Sequence, residues 1–190
     1  MSRLRSRSRI SAGTAVLGGL LAAGCGDSAD SCGPGGAPAT GLVANRDAVT
    51  LTYGNLVAGR NNDCPASDAP AGVISLTIHG TQSDGSGQLT LCIARPDLLA
   101  KQAQALGGDV AGTPVRVIDI AGTATNCSFD LDRSQPVTGS ATASGLCGDG
   151  VDPAGFALVL DGALALTRTC GQAVDSLSVT LRGRVAVAAD

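Results

Sequence analysis

The chain of 190 residues contains sixteen aspartates but no glutamate, and only one lysine (Lys101) and one histidine (His79). Tryptophan is absent, and the aromatic residues are Tyr53, Phe129 and Phe156. Each scarcity removes something. Without stacking side chains and with acid in excess of base, the chain lacks the equipment for nucleic-acid binding. With one imidazole and no glutamate, most acid–base chemistries are hard to assemble, so the sequence predicts no enzyme and no catalytic residue. Only one short apolar run exists, which excludes a bundle of membrane-spanning helices. At 44% hydrophobic the chain is nevertheless built to fold. Its core has to be aliphatic. Asp suits turns, whereas Glu suits helix surfaces, so an all-Asp acid complement predicts strands and turns rather than helices.

The first 24 residues have the organisation of an export signal. Arg3, Arg5, Arg7 and Arg9 form a basic start, and Ile10 to Ala23 is an apolar run diluted by Gly13, Gly18 and Gly19. That run is shorter than the ~20 residues a membrane span needs. The arginines are never adjacent, which does not match a twin-arginine signal. The run ends Leu20-Leu21-Ala22-Ala23-Gly24-Cys25. This segment resembles the lipobox of bacterial lipoproteins, with Ala22 standing where the family usually has Leu. The resemblance covers about 25 residues. It implies removal of residues 1–24, a lipid (diacylglyceryl and palmitate-type acyl chains) on Cys25, and attachment to a membrane of the cell envelope. Gly26 rather than Asp follows the cysteine, which by analogy implies the outer membrane. The alternative is an ordinary signal peptide cut near Ala23.

Removing residues 1–24 leaves nine basic and sixteen acidic residues, a net charge of −7. Residues 25–41, rich in Gly, Pro, Ser, Ala and Asp, read as a tether, and 42–190 as a single domain. Six further cysteines, Cys32, Cys64, Cys92, Cys127, Cys147 and Cys170, predict three disulfides in an exported chain. They lack the close pairing of a metal site, so no metal or other cofactor is expected.

Alternating apolar and polar residues mark strands. They occur at Val49–Tyr53, Ile74–Ile78 and Leu89–Ile93, with Ser83-Asp84-Gly85-Ser86-Gly87 as a hairpin turn. In that register Cys92 shares a face with Ser75 and Thr77. Pro96 and Asp97 open a helix that Gly107-Gly108 would end, spanning about 96–106. Further strands are expected at Val115–Ile120 and Thr123–Leu131, with Gly122 as turn or bulge. Arg133 to Pro136 reads as a turn, Val137 to Leu146 as a strand, and Leu177 to Val187 as the last. Asp161-Gly162 has the chemistry of a type I′ turn, which predicts a hairpin of Phe156–Leu160 with Ala163–Thr169. That register sets position 170 opposite 153 and predicts a Cys147–Cys170 disulfide worth about 3 kcal/mol. Sequence order suggests Cys32–Cys64 and Cys92–Cys127, with Cys64–Cys92 as the rival. The fold expected is all-β: an antiparallel β-sandwich or barrel of about eight or nine strands with one short helix.

Candidate chemistry is sparse. His79 lies on the polar side of its strand with no nucleophile elbow in the chain. Asp130 and Asp132 flank Leu131, about 7 Å apart by strand rise, and read as a solvated face. Asp149-Gly150-Val151-Asp152 and the cluster Asn61, Asn62, Asp63 and Asp68 are oxygen-rich, but they lack the spacing of a calcium loop. Gly145 to Gly150 lacks the lysine of a phosphate loop. Two classes of function remain. One is a non-catalytic lipid-anchored envelope domain, structural or protein-binding, whose membrane partner is reached through Cys25. The other is a periplasmic carrier holding an apolar ligand in an aliphatic barrel.

Overall fold

The computed structural model describes residues 41–46, 49–60, 64, 69–99, 102–148 and 153–188, without the side chains of 144–156 and 186–188. The signal and tether readings, with Cys25 and Cys32, lie outside the described residues. So do Asn61, Asn62, Asp63 and Asp68, and Asp149 to Asp152.

Ten strands and one helical turn are described. They are β1 (Gly41–Arg46), β2 (Val49–Arg60), β3 (Leu76–Gln82), β4 (Gln88–Ile93), α1 (Pro96–Leu99), β5 (Gln104–Gly108), β6 (Val115–Ala124), β7 (Cys127–Leu131), β8 (Thr138–Gly148), β9 (Pro153–Cys170) and β10 (Ala173–Ala188). The fold is all-β, as the composition predicts. All ten strands belong to one sheet in the order β10-β1-β2-β3-β4-β6-β5-β8-β9-β7, with further pairings β10–β9 and β6–β7. Those extra pairings close the ladder into a ring. β9 and β10 are joined along sixteen residue pairs, from Cys170↔Ala173 to Gly155↔Ala188. β10 then returns to β1 through Gly41↔Arg184 to Asn45↔Thr180. The result is a barrel, antiparallel except where β5 runs parallel to β6.

Strand alternation sorts the faces. Leu158, Leu160, Leu164 and Leu166 of β9 point inward, opposite Val185, Gly183, Val179 and Leu177 of β10. Their outward neighbours are Val159, Asp161, Ala163, Ala165 and Thr167. A barrel that spans a bilayer places its apolar residues on the outside; here they fill the inside. The lumen is packed: Leu42, Leu51, Tyr53, Ile78, Leu91 and Phe129 are all 0% exposed, so no water-sized space borders them. The Tyr53 hydroxyl donates to the Ala121 carbonyl at 3.0 Å. Burial, with Asp119 and Asp84 adding, pushes this phenol well above its usual range, so it stays protonated.

Several expectations are corrected. Asp161-Gly162 is not a turn. Both residues lie inside the continuous 18-residue β9, paired with Arg182 and Leu181. Asp161 is an outward residue that accepts from Arg182 Nε at 2.8 Å. Gly162 is a packing glycine, because a Cβ there would stand 2.6 Å from Leu106 Cδ2. The hairpin turn falls instead at Gly171-Gln172, with Gly171 at φ +62°. Gly122 likewise sits within β6, and the turn to β7 is Thr125-Asn126, both at positive φ as a type I′ turn requires. The helix is a single turn, Pro96–Leu99, rather than a run to 106. Residues 104–108 instead fill the gap between β6 and β8 as a strand, because an unpaired edge there would leave backbone groups without partners. β1, inside which the tether reading ended, is needed to close the ring.

Closure requires close backbone approach at the bends. Gly183 has φ +141°, and a Cβ on it would lie 2.2 Å from the Gly41 carbonyl oxygen of β1. Gly59 has nothing within 4 Å of such a Cβ. The Gly183→Ala variant is therefore expected to lose at least about 2 kcal/mol from backbone strain and clash, whereas Gly59→Ala should change stability by less than about 1 kcal/mol. Urea denaturation of both reads the difference directly. Equal stabilities would refute the β1–β10 closure.

Candidate functional site

Among the described residues, two disulfides tie the barrel. Cys64 and Cys92 are joined with Cα atoms 5.2 Å apart, and Cys127 and Cys170 with Cα atoms 4.4 Å apart. The first is the rival pairing. The second overturns Cys147–Cys170, and the first two together overturn Cys92–Cys127 and Cys32–Cys64. The cause is the continuity of β9. Its end lies against β7, with Ser128 facing Thr169, so the next pair outward is Cys127 and Cys170. The bridge therefore ties the β6–β7 turn to the β9–β10 turn.

The Cys64–Cys92 bridge lies on the outer side of β4. Thr77, Cys92 and Arg116 sit side by side on β3, β4 and β6, facing away from the lumen, and all three are buried. Cys64, Cys92 and Ala94, with Ile118 against them, form a small second core there. The sequence does place Cys92 on the face of Thr77. It does not reveal that this face is covered. The buried Arg116 guanidinium donates from Nε to the Thr113 carbonyl at 2.9 Å, and its Nη1 lies 3.6 Å from Asp109 Oδ1. Those contacts fix the β5–β6 connection against the barrel wall.

That connection forms one bank of a cleft of 650 Å³; the β7–β8 turn forms the other. Its lining runs through residues 107–110, Thr113 and residues 131–137. Val110, 64% exposed, stands at its edge. Every charged side chain in the lining has a structural partner. Asp109 meets Arg116, and Arg133 Nη2 lies 3.5 Å from Asp119 Oδ1. Asp132 accepts from the Ser134 amide at 3.0 Å, the Ser134 hydroxyl at 2.6 Å and the Ser176 hydroxyl at 2.8 Å. The Ser134 hydroxyl, the Ser176 hydroxyl and the Ser134 amide, in that order, hold its carboxyl below the usual range. Asp132 thus clamps its own turn to β10 and is not one of a working pair with Asp130, which stays exposed on β7.

His79 is exposed, and its Nδ1 lies 3.2 Å from Thr90 Oγ1. The row across the sheet is His79, Thr90, Asp119. In a hydroxyl-nucleophile triad the carboxylate stands behind the imidazole and orients it. Here the hydroxyl residue separates the two, and Asp119 accepts from Gln88 Nε2 at 2.9 Å. The arrangement suits cross-strand hydrogen bonding and lacks the order that activates a nucleophile. No group of three or more metal-ligating side chains gathers among the described residues. The cleft has an apolar rim residue, Val110, and charged lining side chains that are each held by a neighbouring group.

No family model, curated protein or solved structure matches this chain.

Two outcomes are expected. Closing the loops between Cys64 and Cys92 and between Cys127 and Cys170, separated by 28 and 43 residues, stabilises the fold by about 3.5 and about 4 kcal/mol in the chain-entropy model. Cys127→Ser/Cys170→Ser should therefore lower the unfolding free energy by nearly that amount in urea titration, and non-reducing peptide mapping should return the two bridged peptides. A Cys170 peptide joined to any other cysteine would contradict the β7–β9 register. The second outcome concerns pH. Asp132 and Asp175 have carboxyls held below their ordinary values, Asp175 chiefly by its hydrogen bond from Arg168. A depressed folded pKa gives stability that is present above the unfolded value of about 3.9 and is lost as pH falls through the folded value. Stability should therefore decline below about pH 4, and Asp132→Asn should flatten that decline. An unchanged slope in Asp132→Asn would exclude the clamp as its source.

Proposed function

We propose that this chain is an exported, lipid-anchored lipoprotein of the cell envelope, probing its surroundings through a non-catalytic, disulfide-stabilised barrel that acts as a structural or protein-binding module. The observation that carries this reading is the pair of strand-to-strand disulfides, Cys64–Cys92 and Cys127–Cys170. Structural disulfides persist in oxidising compartments, which lie outside the cytoplasm. Export agrees with the basic start and apolar run of residues 1–24, and the junction at Cys25 supplies the attachment point. The faces of the barrel support attachment by a separate anchor, because the outward side of β10 is polar, with Ser176, Ser178, Thr180, Arg182 and Arg184 along it. The outer membrane is the destination that Gly26 favours.

The non-catalytic part of the proposal rests on the cleft and on the His79 row, where each candidate group is held by a neighbouring residue. The carrier reading gains no support from the lumen, since its described lining residues meet one another and leave no room for a ligand.

Intact-mass analysis of the chain purified from membranes tests the anchor. The expected product begins at Cys25 and carries a diacylglyceryl group with a further acyl chain, and Cys25→Ser should move the protein to the soluble fraction. A mature N-terminus without lipid would sink the proposal.

A further inference from the structure

We propose that the outward face formed by Arg182 and Arg184 of β10 and Val159 of β9 is the side of the barrel that rests on anionic lipid headgroups; this rests on the lipid-anchored reading above. Three observations meet at this place. The first is where the chain enters the barrel. Gly41, the first residue of β1, is paired with Arg184. It follows Cys25 by sixteen residues, a reach of at most roughly 55 Å when fully extended. A lipid on Cys25 would therefore tether the barrel at its Gly41 corner, beside Arg184.

The second observation is shape. Residues 159–161 and 182–184 line a shallow surface groove of 480 Å³. Gly183, where β10 approaches β1 too closely for any side chain, lies between the two arginines on β10. The third is chemistry. Arg182 and Arg184 both point outward, opposite Asp161 and Val159 respectively. Val159 is 46% exposed, one of few large apolar side chains so exposed among the described residues. Arg182 Nε is held by Asp161. Arg184 Nε, in contrast, is buried without an acceptor among the described residues. Two guanidiniums flanking an exposed valine match the boundary of a bilayer, where arginine reaches phosphates and a small apolar side chain enters the headgroup layer. Guanidinium also pairs with phosphate in a two-point geometry that lysine lacks. The mature chain as a whole is acidic, with a net charge of −7, so the acidic remainder is repelled by the same surface and orientation is favoured over indiscriminate adhesion.

The test uses the mature chain, residues 25–190, with Cys25→Ser so that no acyl chain contributes, and with the Cys127–Cys170 bridge verified by peptide mapping. It is sedimented with vesicles of phosphatidylcholine alone and with vesicles containing phosphatidylglycerol. The expected result is preferential binding to the phosphatidylglycerol vesicles, weakened by added salt. Removing Arg182 and Arg184 as serines should reduce it by roughly fivefold for each arginine. Asp161→Asn, which removes the one carboxylate in the groove, should strengthen it, and Arg168→Ser, near the β9–β10 turn, should leave it unchanged. Equal binding to both vesicle types overturns the proposal, as does a double arginine variant that binds like its parent or an Arg168→Ser variant that loses as much. Intact mass at Cys25 is read separately. A lipidated Cys25 with no vesicle preference rejects this face alone, whereas an unlipidated Cys25 rejects the anchored reading on which it stands.

Discussion

A sheet edge leaves a row of backbone donors and acceptors without partners, and the architecture depends on removing that edge. β10 does so by pairing with β9 on one side and β1 on the other. Once the ring is closed, alternate residues must meet in a lumen of fixed width. That width is filled by leucine, isoleucine and valine, with Tyr53 and Phe129 as the bulky exceptions, both fully buried. Closure also explains the glycines at the bends. Gly139, Gly162 and Gly183 each lie where a neighbouring strand or side chain would be 2.6 Å or less from a Cβ. These positions have no room for a side chain, and the chain spends its strand-breaking residue there.

Two described disulfides reinforce the ring, one at the short β7 and one on the outer side of β4. Between β6 and β9 the gap is bridged at one end by β7 and at the other by β5 with β8. The short β7, of five residues, contributes few ladder bonds, and Cys127–Cys170 fixes its start. On the far wall, β3, β4 and β6 bury polar residues on their outer side, Thr77 and Arg116 among them. Cys64–Cys92 holds the chain before β3 against that wall. Among the described residues, the barrel's mechanical integrity is thus shared between a continuous hydrogen-bond ring and two covalent ties, one at the short β7 and one on the outer side of β4.

The face pattern of this fold was largely readable from the residues. Alternation located β2, β3, β4 and β10, the Ser83–Gly87 turn, and the shared face of Thr77 and Cys92. What escaped was continuity. Asp161-Gly162 carries the same residue pair as a hairpin turn, yet whether such a glycine bends the chain back or admits Leu106 against the backbone is decided by a strand that arrives from residues 104–108. The disulfide partner of Cys170 depended on that choice, because β9 had to run on past 162 before 170 could meet 127. The helix reading failed for a related reason: Leu99, Ala103 and Leu106 have helical spacing, but the unpaired gap between β6 and β8 draws residues 104–108 into the sheet. Of the chemistry-bearing residues, His79 and Asp132 were seen as polar surface groups. The clamp that engages Asp132 needed Ser176, 44 residues away, and nothing local announces it.

The missing glutamate also finds its physical reason in the barrel. Most described aspartates make a short-range contact across strands or within a turn. Asp161 meets Arg182 directly opposite, and Asp175 meets Arg168 in the same manner. Asp97 receives both Arg95 Nε and Nη2 at 2.8 and 2.7 Å just where α1 begins. Asp132 caps its own turn. In the three arginine pairs the basic partner is long and the acid is short, so the arginine spans the distance and the carboxylate stays close to its own backbone. An added methylene on the acid would increase the rotamer freedom to be lost and move the carboxylate away from the turn amides it accepts from. Exposed pairs of this kind contribute little individually, on the order of 0–1 kcal/mol. Their value lies in register: opposite charges directly across β9 and β10 favour the alignment that places the leucines inside, and a slip by one residue would bring them out.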